Sequence, residues 1–234
     1  MVTITAHRGA SGVAPENTMA AFRKAVEQKA DCIELDVQLS KDDRVVVLHD
    51  TTLKRTTNGR GKVADLTLEE LKALDAGLWF SDDFKGERIP ALDEVLAFAR
   101  GKIDLNIEIK KQEKAAVVVD KVVDLVAAFA MQNNCRITSF DPLVLGLVKA
   151  RNEALRVGLI AGKRLTKKQL QERWEMLSLH YHFVNQKIVD HCRQSGCELH
   201  AWTVNEIADM EKMATLGVDG IITNHPERLR RLLA

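Results

Sequence analysis

The feature that most constrains this chain is a rhythm. Short apolar runs of strand length alternate with longer amphipathic stretches, and the pattern recurs eight times. Such alternation is the signature of a parallel sheet wrapped by helices. The apolar runs predict strands near Thr3–Ala6, Cys32–Val37, Asp104–Ile109, Cys135–Thr138, Arg156–Ile160, Met176–Val184, Glu198–Thr203 and Gly220–Thr223. Between them lie helical stripes. Thr18–Gln28 places Ala21, Phe22, Ala25 and Val26 on one face, and Ala115–Met131 is apolar over a broad face. Asn205–Leu216 reads as a helix with Asn205 as N-cap, Ile207, Met210 and Met213 turned inward, and Gly217 as C-cap. Eight βα units in 234 residues predict an α/β TIM (β/α)8 barrel. A doubly wound sheet is the alternative, but it usually carries fewer units. The whole chain, 1–234, reads as one domain.

The rhythm breaks once. After the second strand, residues 44–90 hold a further β-like run, Arg44–His49, and then Thr51–Gly61, rich in Thr, Gly and basic side chains. Long irregular insertions in compact domains usually carry function. This one predicts a small cap over the top of the barrel.

Charge and cysteine usage exclude several classes. A formal net charge of +1 argues against a nucleic-acid partner, which calls for a basic excess. No apolar run approaches the roughly 20 residues of a membrane span, so no membrane insertion is expected. The start, Met-Val-Thr-Ile-Thr-Ala-His, lacks the basic and apolar regions of a signal peptide. Cys32, Cys135, Cys192 and Cys197 show no framework spacing and read as reduced thiols of a cytoplasmic protein. The pattern specifies no oligomeric state.

Strand geometry decides which polar residues can meet. Side chains two apart share a face, so Glu34 and Asp36 point one way while Ile33, Leu35 and Val37 point to the helices. Glu108 shares its face with Asn106 and Lys110. His7 ends the first strand and leads into Arg8-Gly9. All lie at the C-terminal ends of strands, where TIM barrels carry their active sites. Ordinary salt bridging would explain an isolated Glu-x-Asp. Here the motif ends an apolar strand and Glu108 repeats it one strand on. Three converging carboxylates favour a bound cation, and an all-oxygen set selects a hard ion, Mg²⁺ or Ca²⁺. Arg8 and Lys110 add fixed positive charge fit for a phosphate. His7 and His49 each end a β run aimed at the same rim and suit proton transfer. Asp50 reads either as a partner for His49 or as the opening of a turn.

Taken together, His7-Arg8-Gly9, Pro15-Glu16-Asn17-Thr18, Glu34-Leu35-Asp36, Leu48-His49-Asp50, Arg55-Thr56-Thr57-Asn58-Gly59 and Glu108-Ile109-Lys110 resemble the glycerophosphodiester phosphodiesterase family. Ala201-Trp202-Thr203-Val204-Asn205 and Gly220-Ile221-Ile222-Thr223-Asn224 are similar to later segments of the same family. The resemblance keeps its order along nearly the whole chain. It implies hydrolysis of glycerophosphodiesters, the deacylated phospholipid headgroups, to sn-glycerol 3-phosphate and an alcohol, with one divalent cation. It further implies His7 and His49 as the acid–base pair, Glu34, Asp36 and Glu108 as metal ligands, and Arg8, Lys110 and Trp202 as substrate contacts. Asn224-His225-Pro226 departs from a position where the family often has Asp, a change expected to touch only the far rim.

Two other functions fit the same fold: a phospholipase-like barrel acting on intact lipids, and a noncatalytic barrel that binds a phosphorylated ligand. The first calls for an apolar docking loop, and only Trp79-Phe80, beside Ser81-Asp82-Asp83, resembles one. The second does not need two histidines beside three carboxylates. Elsewhere, His182 is a candidate to approach the cleft, His200 reads as a hydrogen-bonded interior residue, and Asn185 reads as a helix cap or a ligand contact. His191-Cys192 with Cys197 lacks the paired short spacings of a zinc site. The basic run Lys163–Lys168 reads as a solvated helix start.

Overall fold

The first strand pairs with both the second and the last, and this closes the sheet. The computed structural model describes residues 2–234. Its elements in chain order are β1 (Thr3–His7), α1 (Met19–Glu27), β2 (Cys32–Leu39), β3 (Val45–Val47), α2 (Leu68–Ala73), α3 (Leu92–Ala99), β4 (Asp104–Ile109), α4 (Ala115–Ala128) and β5 (Cys135–Ser139). Then follow α5 (Pro142–Arg151), β6 (Arg156–Ala161), α6 (Lys167–Gln171), β7 (Met176–His180), α7 (Gln186–Ser195), β8 (Glu198–Trp202), α8 (Ile207–Leu216), β9 (Gly220–Thr223) and α9 (Pro226–Leu232). All the strands but β3 are parallel, and β1 pairs with β2 (Ala6 with Ile33) and with β9 (Ala6 with Thr223). This is the (β/α)8 barrel that the alternation predicts. Outward-facing Ile33, Leu35, Val37, Leu105, Ile107 and Ile109 are fully buried under the helices. Among the described residues no helix is long and apolar enough to cross a membrane.

The insertion after β2 begins as β3, which returns antiparallel along β2 with Val47 opposite Val37. Val46, Leu53, Val63, Leu71 and Ile89 form its own small core. Trp79 and Phe80 meet edge to face, and Phe80 meets Phe84 in the same way. Phe84 packs on Ala14, Ala20 and Ala21 of the barrel. Neither Trp79 nor Phe80 lines the central cavity.

Three local expectations need correction. β7 stops at His180, short of Val184, because the His180 ring accepts the His182 N–H and Tyr181–Phe183 coil into a 3-10 turn. His182 therefore leaves the strand face and lines a separate rim cavity beside Arg164. α4 ends at Ala128, before Met131, where Ala130 turns left-handed at φ 53°. Asn205 does not cap α8. Its side chain instead accepts from the Asn224 N–H and from Thr223 Oγ1, tying the loops after β8 and β9 together. The helix starts after Glu206, and Ile207 is exposed, while Met210 and Met213 are fully buried. Gly217 does end α8, at φ 80°.

The turn after β1 needs a glycine. Gly9 sits at φ 81°, and a Cβ there would lie 2.7 Å from the backbone of Ala21 in α1. The turn and the first helix therefore touch at van der Waals contact. Gly9→Ala is expected to destabilise the protein by about 2 kcal/mol, from left-handed strain plus the clash. The measurement is a urea unfolding curve; a midpoint equal to wild type would show that the turn tolerates a side chain.

Candidate active site

Register across three strands assembles the acidic cluster. In the parallel ladders His7 stands opposite Glu34, Glu34 opposite Asn106, and Asp36 opposite Glu108. Inward-facing residues at matched heights on neighbouring strands must converge at the mouth of a closed barrel. Glu34, Asp36 and Glu108 are all buried, and each offers an oxygen within 4.8 Å of the others.

Two cations partly balance the cluster. Lys110 Nζ lies 2.7 Å from Asp36 Oδ1 and 2.6 Å from Glu108 Oε1. Arg8 Nε lies 3.3 Å from Asp36 Oδ2, but at an angle that makes no hydrogen bond. Arg8 adopts φ 56°, and this left-handed turn aims its backbone N–H at Glu34 Oε2, 2.9 Å away. The balance is uneven. Burial would raise the Asp36 carboxyl, but Lys110 and Arg8 overcome it and hold the group at about 2. Burial, then repulsion from Asp36 and Glu108, pushes Glu34 well above the usual carboxylate range. Burial and the Asp36 charge push Glu108 up to about 7 against the pull of Lys110. A cation among these oxygens would remove the repulsion and let all three ionise. The residues present therefore fit a hard divalent ion, and a buried acidic triad able to coordinate one is in place.

The Pro15-Glu16-Asn17-Thr18 segment now has a physical account. Thr18 caps α1 by accepting the Ala21 N–H. Asn17, buried and at φ 56°, donates to Asp36 Oδ2 at 2.8 Å. Glu16 accepts from Arg8 at 2.6 Å and from Arg55 of the insertion at 2.7 and 2.8 Å. Arg55 also donates to Asp50 at 2.7 Å. These bonds hold the Asp50 carboxyl far below its ordinary range, and burial opposes them only in part.

Each histidine is held through Nδ1. His49 Nδ1 lies 2.6 Å from Asp50 Oδ1, so Asp50 orients His49. His7 Nδ1 lies 2.7 Å from Asn224 Oδ1 at the end of β9. His7 Nε2 stands 4.0 Å from Glu34 Oε2. Burial, followed by the Arg8 charge, lowers His7 to about 4. Burial also lowers His49, against the pull of Asp36 and Asp50. Asn224 thus corrects the expectation that the Asn224-His225-Pro226 departure touches only the far rim. Its position at the C-terminal end of a strand, like that of His7 itself, was the available signal.

A cavity of about 200 Å³ opens at this mouth and is two-sided. His7, Arg8, Glu34, His49, Glu108 and Lys110 form the polar wall, and Phe140, Ile160, Trp202 and Ile222 the apolar one. Trp202 is fixed by its Nε1–H to Ser178 O, 3.0 Å, and by an edge contact with Phe140. All eight residues singled out from the sequence lie in or beside this site. The other candidates do not. His200 is buried at the opposite end of the barrel, 3.3 Å from Arg136. Asn185 caps α7 by accepting the Ile188 N–H.

Comparison with known proteins identifies the family. Residues 7–228 match the model of the Glycerophosphoryl diester phosphodiesterase family. A glycerophosphodiester phosphodiesterase of Caldanaerobacter subterraneus subsp. tengcongensis is 44% identical, over 98% of this chain and 97% of its own. The structure of a phosphodiesterase from Oleispira antarctica, in complex with the product sn-glycerol-3-phosphate, superposes with a TM-score of 0.94 at 29% identity, over 99% of this chain and 96% of the other. A glycerophosphodiester phosphodiesterase from Agrobacterium tumefaciens gives a TM-score of 0.85 at 33% identity, over 99% and 100%. With the barrel and the acidic triad in place, the chain belongs to the glycerophosphoryl diester phosphodiesterase family of hydrolases.

Proposed function

We propose that this enzyme hydrolyses glycerophosphodiesters to sn-glycerol 3-phosphate and an alcohol, with His7 and His49 as base and acid. The observation that carries the reading is the unequal tethering of the two imidazoles beside one acidic triad. His7 is tied to a neutral amide and lowered to about 4, so it is an unprotonated acceptor at neutral pH. His49 is tied to a carboxylate, which favours its imidazolium form against the burial that lowers the ring overall. With Nδ1–H donated in each case, Nε2 is the ring nitrogen left for chemistry.

Glu34, Asp36 and Glu108 would hold a divalent cation, Mg²⁺ or Ca²⁺. When bound, it would act as a Lewis acid toward phosphoryl oxygen. Arg8 and Lys110 contribute positive potential at the same wall, favouring the charge that builds on the phosphoryl group. His7 Nε2 takes a proton from the attacking oxygen, that of water or of the glycerol 2-hydroxyl. His49 Nε2 gives a proton to the departing alkoxide. Trp202 and Phe140 offer an apolar face to the glycerol carbons. The cavity, at about 200 Å³, is of a size for a small polar substrate and supports a deacylated one.

Three outcomes are expected. Glycerophosphocholine and glycerophosphoethanolamine should both release sn-glycerol 3-phosphate in a coupled assay. EDTA should abolish that release and added Mg²⁺ or Ca²⁺ restore it; full activity after exhaustive chelation would remove the cation from the reading. His7→Ala and His49→Ala should each lower kcat by about 10²–10⁴-fold with the fold intact by circular dichroism. Wild-type turnover in either would end its role.

Asn224→Asp tests the tether. A carboxylate at Nδ1 stabilises the His7 imidazolium and raises its pKa. The base form is then lost at a higher pH, so the acidic limb of kcat/KM against pH should move up. An unmoved limb would uncouple Asn224 from His7.

A further inference from the structure

The opposite end of the barrel carries two cysteines that the phosphodiester chemistry does not use. α7 ends in a Schellman turn. The Cys197 N–H donates to Cys192 O at 2.9 Å, the Gly196 N–H to Arg193 O at 3.4 Å, and Gly196 sits at φ 72°. In this motif the first and last residues of the turn bring their side chains together, usually as an apolar contact. Here those residues are Cys192 and Cys197, and the Cys197 thiol donates to Glu198 O at 3.5 Å. Both side chains are nearly buried, yet both line one surface cavity of about 240 Å³, beside Arg193 and Asp219.

We propose that Cys192 and Cys197 form a redox-active dithiol that closes into a disulfide by exchange with a small-molecule disulfide. The turn supplies what a disulfide needs first, two cysteine side chains brought to one side of a closed backbone turn. It also divides the roles. The Cys197 thiol is held as a proton donor by Glu198 O and is pushed up by its neighbour Cys192 and by burial, while Cys192 lies below its ordinary range beside Cys197. Cys192 is therefore the attacking sulfur and Cys197 the resolving one. The Cys192 thiolate bonds to one sulfur of the incoming disulfide and expels the other as a thiolate. Cys197 then loses its proton to solvent, attacks Cys192 Sγ and expels the second thiolate. Two protein thiols are oxidised, one small disulfide is reduced to two thiols, and no other electron acceptor is needed. Cys32 and Cys135 are the internal controls. Both are buried within strands, and burial pushes each up to about 12.

The test uses the intact enzyme without denaturant. It is incubated with oxidised glutathione, blocked with N-ethylmaleimide and cleaved with trypsin, which cuts after Arg193 between the two cysteines. The expected product is a disulfide-linked pair of peptides carrying Cys192 and Cys197, with the whole chain lighter by two hydrogen atoms before blocking. Cys32 and Cys135 should remain reduced. Cys197→Ser should accumulate glutathione on Cys192, and Cys192→Ser should leave Cys197 reduced. Two free thiols at Cys192 and Cys197 after prolonged exposure, or glutathione retained on the wild-type chain, would overturn the proposal. So would prior consumption of Cys32 or Cys135, or an adduct on Cys197 in Cys192→Ser.

Discussion

Repulsion among Glu34, Asp36 and Glu108 is the constraint around which the mouth of this barrel is built. Strand register leaves them no way to separate, because Asp36 and Glu108 are ladder partners and Glu34 is two residues from Asp36 on the same face. Buried like charges of this kind cost several kcal/mol unless something neutralises them. Lys110 bridges two of the three, Asn17 donates to Asp36, and the turned backbone of Arg8 donates to Glu34. The unusual backbone of the first loop follows from this need. Arg8 and Asn17 both adopt left-handed conformations that disfavour side chains, and both use them to deliver a donor to a carboxylate.

The insertion is bound to the same electrostatic centre. It contributes His49, and its Arg55 joins Asp50 to Glu16, which in turn holds Arg8. A chain of charge-assisted hydrogen bonds thus runs from one imidazole, through the insertion, to the arginine beside the triad. Meanwhile Phe84 seats the insertion on small alanines of the first loop and α1. Polar and apolar contacts agree on one placement, and that placement fixes where His49 stands relative to His7.

Much of this was legible in the sequence because it rests on periodicity. The barrel strands follow from apolar spacing, and the convergence of Glu34, Asp36 and Glu108 follows from the two-residue repeat of a strand. What was not legible depends on loops meeting across the barrel mouth. Asn205 looks like an N-cap, since Asn before a helix usually is one, yet its oxygen serves Thr223 and Asn224. His182 looks like part of a strand, but the ring of His180 captures its amide and turns the chain. Asn224 looked peripheral, and its contact with His7 exists only once the barrel has closed. Local propensity has no access to partners so distant in sequence.

That last contact reaches from the first strand to the last, across a sequence separation of 217 residues. Bringing such distant segments together is slow and is rewarded only late in folding. On a ribosome, His7 emerges 217 residues ahead of its tether. Any intermediate that lacks β9 leaves the His7 ring free to rotate and to exchange tautomers. The site is therefore assembled as a seam, and the His7 ring takes its fixed orientation only when the seam is sewn. Activity in this enzyme reports the completion of the whole barrel, so a half-made chain has no competent half-site.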